Sequence, residues 1–233
     1  MLTQLLRFES LYQIKQPSFI ILFLVLLSYG VVINADVLGQ GMELLNINSP
    51  YRLSYFIALT SVLSIFAAMM FCVNSLLRDK DHHFDGIVGM LAIKQRFTSC
   101  TIAILMSTLG VVSILSIGLM LGLLSPSLNQ EKISPFSLNH YLWPWLVFVL
   151  PNTIIATSIL VAVTLKKQNA FATYITAISL FIFFWLSMMF IGAPVTGSMV
   201  FKDPSVVSVF ALLDPFGTSA FFEQSQFWTP AQK

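Results

Sequence analysis

The side chains best equipped for chemistry lie together. Arg78, Asp79, Lys80, Asp81, His82, His83 and Asp85 follow one another in a chain that is only 9% charged and 57% hydrophobic. His82 and His83 with Asp81 and Asp85 offer the atoms of a metal site, but adjacent histidines point different ways on a helix, so a solvated polar loop accounts for them better. Charges at this density stay in water beside a membrane. After Gly86, the run to Arg96 carries Ile87, Val88, Met90, Leu91 and Ile93 and closes on Lys94 and Arg96. That is the pattern of a short helix with one apolar face, suited to docking on a partner; a loop whose charges only fix topology is the other reading.

No other constellation points to catalysis. The chain has no G-x-x-x-x-G-K-[ST] loop, no H-E-x-x-H, no G-x-S-x-G and no C-x-x-C. It therefore reads as a non-enzyme, with no cofactor or metal of its own. Cys72 and Cys100 fall within or at the ends of apolar runs and read as small apolar residues. His140, beside Tyr141, Trp143 and Trp145, reads as part of an interfacial aromatic belt. A net charge of +2 with scattered basic residues excludes a nucleic-acid surface.

The elements that must carry these residues are membrane elements. With 233 residues, a mean hydropathy of +0.84 and 21 Phe, the polar surface is too small to coat a soluble globule. The fold class is all-α and polytopic. Residues 1–17 place Leu2, Leu5, Leu6, Phe8, Leu11, Tyr12 and Ile14 at roughly helical spacing, interrupted by Gln4, Arg7, Gln13 and Lys15. This is an interfacial helix in the headgroup layer, ended by Pro17, with Arg7 and Lys15 near anionic lipid. The transmembrane region, 18–191, holds five expected spans, approximately Ser18–Asn34, Leu53–Leu77, Thr98–Leu124, Tyr141–Leu165 and Ala170–Ile191. Counting Lys and Arg on alternate sides puts Arg7, Lys15, Arg78, Lys80, Lys94, Arg96, Lys166 and Lys167 against Arg52, Lys132, Lys202 and Lys233. The excess places the N-terminus and the loop 78–96 in the cytoplasm.

The spans so drawn contain no Asp, Glu, Lys, Arg or His. Ion-coupled carriers, proton pumps and voltage sensors keep such residues at membrane depth, so any transport here draws its energy from another protein. Pro151-Asn152 is expected to kink the fourth span and free a carbonyl that Asn152 or Thr153 satisfies. Gly118-Leu119-Met120-Leu121-Gly122 is a weak signal for close helix contact. Residues 192–233 lie outside, with two apolar pieces too short to cross, Val206–Leu213 and Phe216–Phe222. Asp214-Pro215 and Gly217 break any helix between them, and Trp228 suits headgroup depth.

A resemblance joins these pieces. Leu5-Leu6-Arg7-Phe8-Glu9, Gln16-Pro17-Ser18-Phe19, Asn48-Ser49-Pro50-Tyr51 and Asn74-Ser75-Leu76-Leu77-Arg78-Asp79 resemble permease subunits of type-2 ABC exporters, in the bacterial branch often fused to a zinc aminopeptidase-like domain. Leu150-Pro151-Asn152, Ala172-Thr173-Tyr174, Leu212-Leu213-Asp214-Pro215-Phe216-Gly217, Phe222-Glu223-Gln224 and Trp228-Thr229-Pro230 continue it in order along nearly the whole chain.

The resemblance implies a six-span permease in a bacterial inner membrane, paired as a homo- or heterodimer with a second permease half. Two cytoplasmic ATPase subunits, which bind ATP and Mg, complete it. Residues 1–17 would be its elbow helix. Arg78, Asp79, Lys80, Asp81, Phe84, Asp85, Ile87 and Leu91 would form the ATPase-docking coupling loop. Asp214, Pro215, Phe216, Gly217 and Trp228 would belong to an external gate of re-entrant helices between spans five and six. A sixth span and a peptidase domain, also implied, are not in these 233 residues, so the resemblance implies a fragment, a shortened product or a sequence given only in part. The alternative function is a non-transporting membrane anchor or scaffold for a peptidase or assembly partner.

Overall fold

The computed structural model describes residues 2–34, 46–78, 93–125, 133, 135–191, 209, 214 and 216–225. These are mostly helical, with no strand among the described residues. The elements are α1 (Leu2–Ile14), α2 (Pro17–Asn34), α3 (Pro50–Ser61), α4 (Ser64–Leu76), α5 (Ile93–Gly122), α6 (Asn139–Pro144), a π turn (Trp145–Val149), α7 (Leu150–Lys167), α8 (Ala170–Ile191) and α9 (Thr218–Ser225).

Among the described residues, four helical stretches are long and apolar enough to cross a membrane: Pro50–Leu76, Gln95–Gly122, Asn139–Lys167 and Ala170–Met189. The bent pair Thr3–Ile14 and Pro17–Ile33, at 63°, raises the number to five. Alone, α2 spans about 27 Å at 1.5 Å per residue, close to the thickness of a hydrocarbon core. The protein is thus compatible with a multi-pass membrane protein. The centre of the bundle is α3–α4, with 67% of its apolar window buried against 28% for α8. α2 and α1 pack on α5, α4 packs on α7 and α5, and α8 lies on α7 and α4.

The second span starts earlier than its apolar run. Ser49 caps α3 by accepting the Arg52 N–H at 3.3 Å, and Pro50 occupies the first turn, where its missing donor costs nothing. Arg52, expected outside the span, is therefore inside the helix and 2% exposed. Its Nη2 donates to the Ile33 carbonyl at 3.2 Å, and its guanidinium lies 6.0 Å from the Phe56 ring centroid. A cation there offsets the negative C-terminal end of α2. Likewise Ile93 to Arg96, expected in the loop, make the first turn of α5.

Two spans are interrupted at matching depth. Between α3 and α4, Leu63, Ile65 and Phe66 donate to carbonyls three residues back, while the Thr60 and Ser61 hydroxyls donate to Phe56 and Ala58. Such back-bonding bends helices and meets backbone needs that lipid cannot. In the fourth span the break comes before the expected Pro151. Pro144 and Pro151 each lack a donor, and the π turn between them lets the Leu150 N–H reach the Trp145 carbonyl. The Trp145 indole donates across to Ser113 Oγ at 2.8 Å, tying this turn to α5. The chain reverses from α7 to α8 at Gln168, whose φ of 47° and N–H bond to the Thr164 carbonyl form a left-handed cap behind Lys166 and Lys167.

Candidate functional site

Among the polar features that join the described helices are a clamp at the end of the bundle that holds Arg78, a crosslink at its middle and a cap at the opposite end. The clamp begins with α1. Glu9 and Gln13, four residues apart on α1, share one helical face, and Gln16 follows in the turn after it. That face turns inward: Glu9 is 2% exposed and Gln13 is fully buried, while Phe8, Leu11 and Ile14 face outward. The arrangement inverts that of a water-soluble helix and suits one whose outer surroundings are partly lipid. Gln13, which interrupts the apolar spacing of this helix, is an anchor.

Their partners come from the end of α4 and the residues just after it. Arg78 Nη2 bonds to Glu9 Oε1 at 2.9 Å, and the Ser75 hydroxyl donates to Glu9 Oε2 at 3.3 Å. Gln13 Nε2 donates to the Phe71 carbonyl, and Asn74 Nδ2 donates to Gln16 Oε1 and to Ser18 Oγ. The Arg78 guanidinium stacks 4.4 Å from the Tyr12 ring centroid and 5.8 Å from that of Phe8. A buried carboxylate holding a guanidinium and a hydroxyl is well satisfied, and the two helices are fixed in register. What the clamp can do is transmit displacement: any movement of the chain after Arg78 pulls on α1 and α4 together.

At mid-bundle, Asn152 Nδ2 donates to Ser61 Oγ at 2.7 Å, with Asn152 1% exposed. The sequence places Asn152 on a freed carbonyl of its own helix. The structure sends it across to α3 because the π turn, not Pro151, takes up the break. Thr153 Oγ1 meets no partner, so it does not serve that carbonyl either. The crosslink links the two interrupted spans at their interruptions.

At the far end, Asp214 Oδ1 accepts the Phe216 N–H at 2.9 Å and Oδ2 accepts the Thr218 hydroxyl at 3.2 Å, so one carboxylate shapes the entry to α9. Phe216, 4% exposed, meets Phe184 edge-on at 6.3 Å. Phe221 lies 5.3 Å from Phe148 and 6.1 Å from Tyr51. The short helix therefore rests on α3, the π turn and α8. Gly217 makes the turn at φ +64°. Among the described residues nothing lies within 4 Å of its missing Cβ, so Gly217→Ala tests backbone strain. It should cost about 1 kcal/mol in unfolding free energy, read by thermal unfolding in detergent.

Of the residues singled out by sequence, Arg78, Asp214, Phe216, Gly217, Pro151 and Asn152 are placed as above. Asp79, Lys80, Asp81, Phe84, Asp85, Ile87, Leu91, Pro215 and Trp228 lie outside the described residues. The structure joins Arg78 to α1 and keeps it apart from Asp214, at the other end of the bundle. Sequence reasoning assigned no role to Glu9, Gln13, Gln16, Asn74 or Ser75. The signal was a polar stripe in an otherwise apolar helix and an Asn-Ser pair in the last turn of a span. Comparison with family models, with curated proteins and with solved structures gives no match for this chain.

Proposed function

We propose that this chain is the membrane permease subunit of an ATP-driven exporter, coupling ATP hydrolysis by a separate cytoplasmic ATPase to movement of substrate across the membrane. One observation carries the reading: the Glu9–Arg78 clamp locks an elbow helix to the second span at the residue from which the charged segment starts. A docking segment drives a bundle only if its displacement reaches the helices before it is lost in a loop. Here Arg78 is bonded to α1 before the chain continues to Asp79.

In this reading the clamp end faces the cytoplasm, with Lys166 and Lys167 at the same level of basic residues, and five spans enter the bilayer of a bacterial inner membrane. The segment 79–92 docks on the ATPase, with Asp79, Lys80, Asp81 and Asp85 at the rim and Phe84, Ile87 and Leu91 as the apolar anchor. The cap from Asp214 to Ser225 closes the outer end, and Ser61–Asn152 ties together the spans that rearrange. ATP biases the arrangement because the ATPase grips the segment differently in its two states. A second permease half completes the path.

The test is ATP turnover by the reconstituted partner ATPase with wild-type chain and with Phe84→Asp/Ile87→Asp. The double variant should keep its helical content and lose at least tenfold of its ATPase association or stimulation. Unchanged association and stimulation would remove the docking role and favour the scaffold reading.

A further inference from the structure

Where α1 ends and α2 begins, the chain turns through Lys15 and Gln16, and the 63° bend opens a cleft of about 560 Å³. Tyr12, Lys15, Gln16, Pro17, Ser18 and Asn74 line it. Its acceptors are largely used within the clamp: Gln16 Oε1 takes bonds from Asn74 and from the Ser18 hydroxyl, and Ser18 Oγ takes another from Asn74. What remains for a ligand is chiefly donors, from the Lys15 ammonium, the Gln16 carboxamide nitrogen and the Tyr12 hydroxyl. Lys15 is exposed, and no carboxylate is among the described residues that line the cleft. Arg78 lies against the Tyr12 ring and is paired with Glu9, which leaves Lys15 as the charged side chain among the described residues that line the cleft. The cleft selects an anion.

The wall beside it is apolar. Pro17 lines the cleft, and Ile21 and Leu24, four and seven residues on, share its helical face, with exposures of 59% and 57%. Ile20 and Val25 flank that face and are also exposed. A bare phosphate uses the donors and leaves this wall idle, whereas a molecule with an anionic head and an apolar tail uses both. We propose that the elbow cleft binds the phosphate of an anionic phospholipid headgroup, with an acyl chain lying along Ile21 and Leu24. The site holds an end of α1 against the bilayer whether the chain is a transporter or a scaffold, so its test is independent of the exporter reading.

The full chain in mild detergent is titrated with phosphatidylglycerol or with phosphatidylcholine, and bound lipid is counted by native mass spectrometry. Phosphatidylglycerol should bind more tightly. Lys15→Gln should weaken it about fivefold, the worth of one lysine beside an anionic headgroup. Lys167→Gln removes an exposed cation that lies outside the cleft and should leave the affinity within twofold. Equal binding of the two lipids, or equal losses in the two variants, overturns the site. An excess of glycerol phosphate should not displace phosphatidylglycerol; displacement would mean that the ligand is a soluble phosphate and overturn the lipid assignment.

Discussion

Substituting Glu9 by Leu is expected to cost about 3 kcal/mol of stability, because it leaves the Arg78 guanidinium at the edge of the bundle without its carboxylate. For a chain of this length that is a fall of about 6–12 °C in the unfolding midpoint. Glu9 is 2% exposed and its pair with Arg78 is screened from water, so the loss should persist at high salt, unlike that of a surface ion pair. The matching double variant, Glu9→Leu/Arg78→Met, removes both charges and should recover most of the midpoint, since an apolar contact of similar volume replaces a costly ion pair. Function should separate from stability. The recovered double variant lacks the bond that joins α1 to the start of the charged segment, so ATPase stimulation should remain low at a temperature where the protein is folded. Equal midpoints for the single and double variants would show that Glu9 and Arg78 act independently, and the clamp would lose its basis.

The second large effect lies where α2 crosses α5. A Cβ on Gly118 would sit 2.6 Å from the Leu27 carbonyl oxygen and 3.1 Å from the Gly30 Cα; one on Gly30 would sit 2.8 Å from the Leu115 carbonyl oxygen. The obstacles are backbone atoms, which cannot swing away as a side chain does, so the helices must separate. Small residues that let backbones approach are the main source of helix association where lipid competes equally with apolar side chains. Gly118→Ala should therefore cost at least about 3 kcal/mol, at the upper end of overpacking, and Gly118→Val should prevent recovery of folded protein. Gly110, also on α5, has nothing within 4 Å of its Cβ position among the described residues. Gly110→Ala should be neutral or stabilise by up to about 1 kcal/mol through helix propensity. Thermal unfolding of the three variants, with size-exclusion profiles for folding yield, checks the contrast. A Gly118→Ala protein as stable as wild type would mean that the helices do not approach so closely.

These two sites show what the sequence made legible and what it did not. Apolar runs of span length betray helices because lipid leaves the backbone no other way to satisfy its bonds, and the boundaries drawn from them fall within about five residues of α2, α5, the stretch Asn139–Lys167 and α8. Facing is harder. In water, polar residues on a helix point outward, but around a membrane the outer side accepts apolar groups, so Glu9 and Gln13 turn inward against the usual rule. Gly118 was visible in a small-residue motif, yet its partner Gly30 belongs to another span, and such pairing depends on which helices become neighbours. Arg52 escaped because the helix start is set by Ser49 and Pro50, outside the apolar run. The π turn escaped because Pro144 and Pro151 share one defect that neither residue alone dictates. Most of the charged segment expected to dock a partner lies outside the described residues, so its role rests on sequence pattern and on the clamp beside it.

The central claim is that this bundle is driven by an ATPase seated at the clamp end. Its most direct test is purification of the protein from its native membrane in mild detergent, with identification and stoichiometry of whatever remains bound. A cytoplasmic ABC ATPase in near-stoichiometric amount, lost from the Phe84→Asp/Ile87→Asp variant, is the predicted result. Recovery of the folded chain with no ATPase, or with one that the variant retains, would contradict the claim.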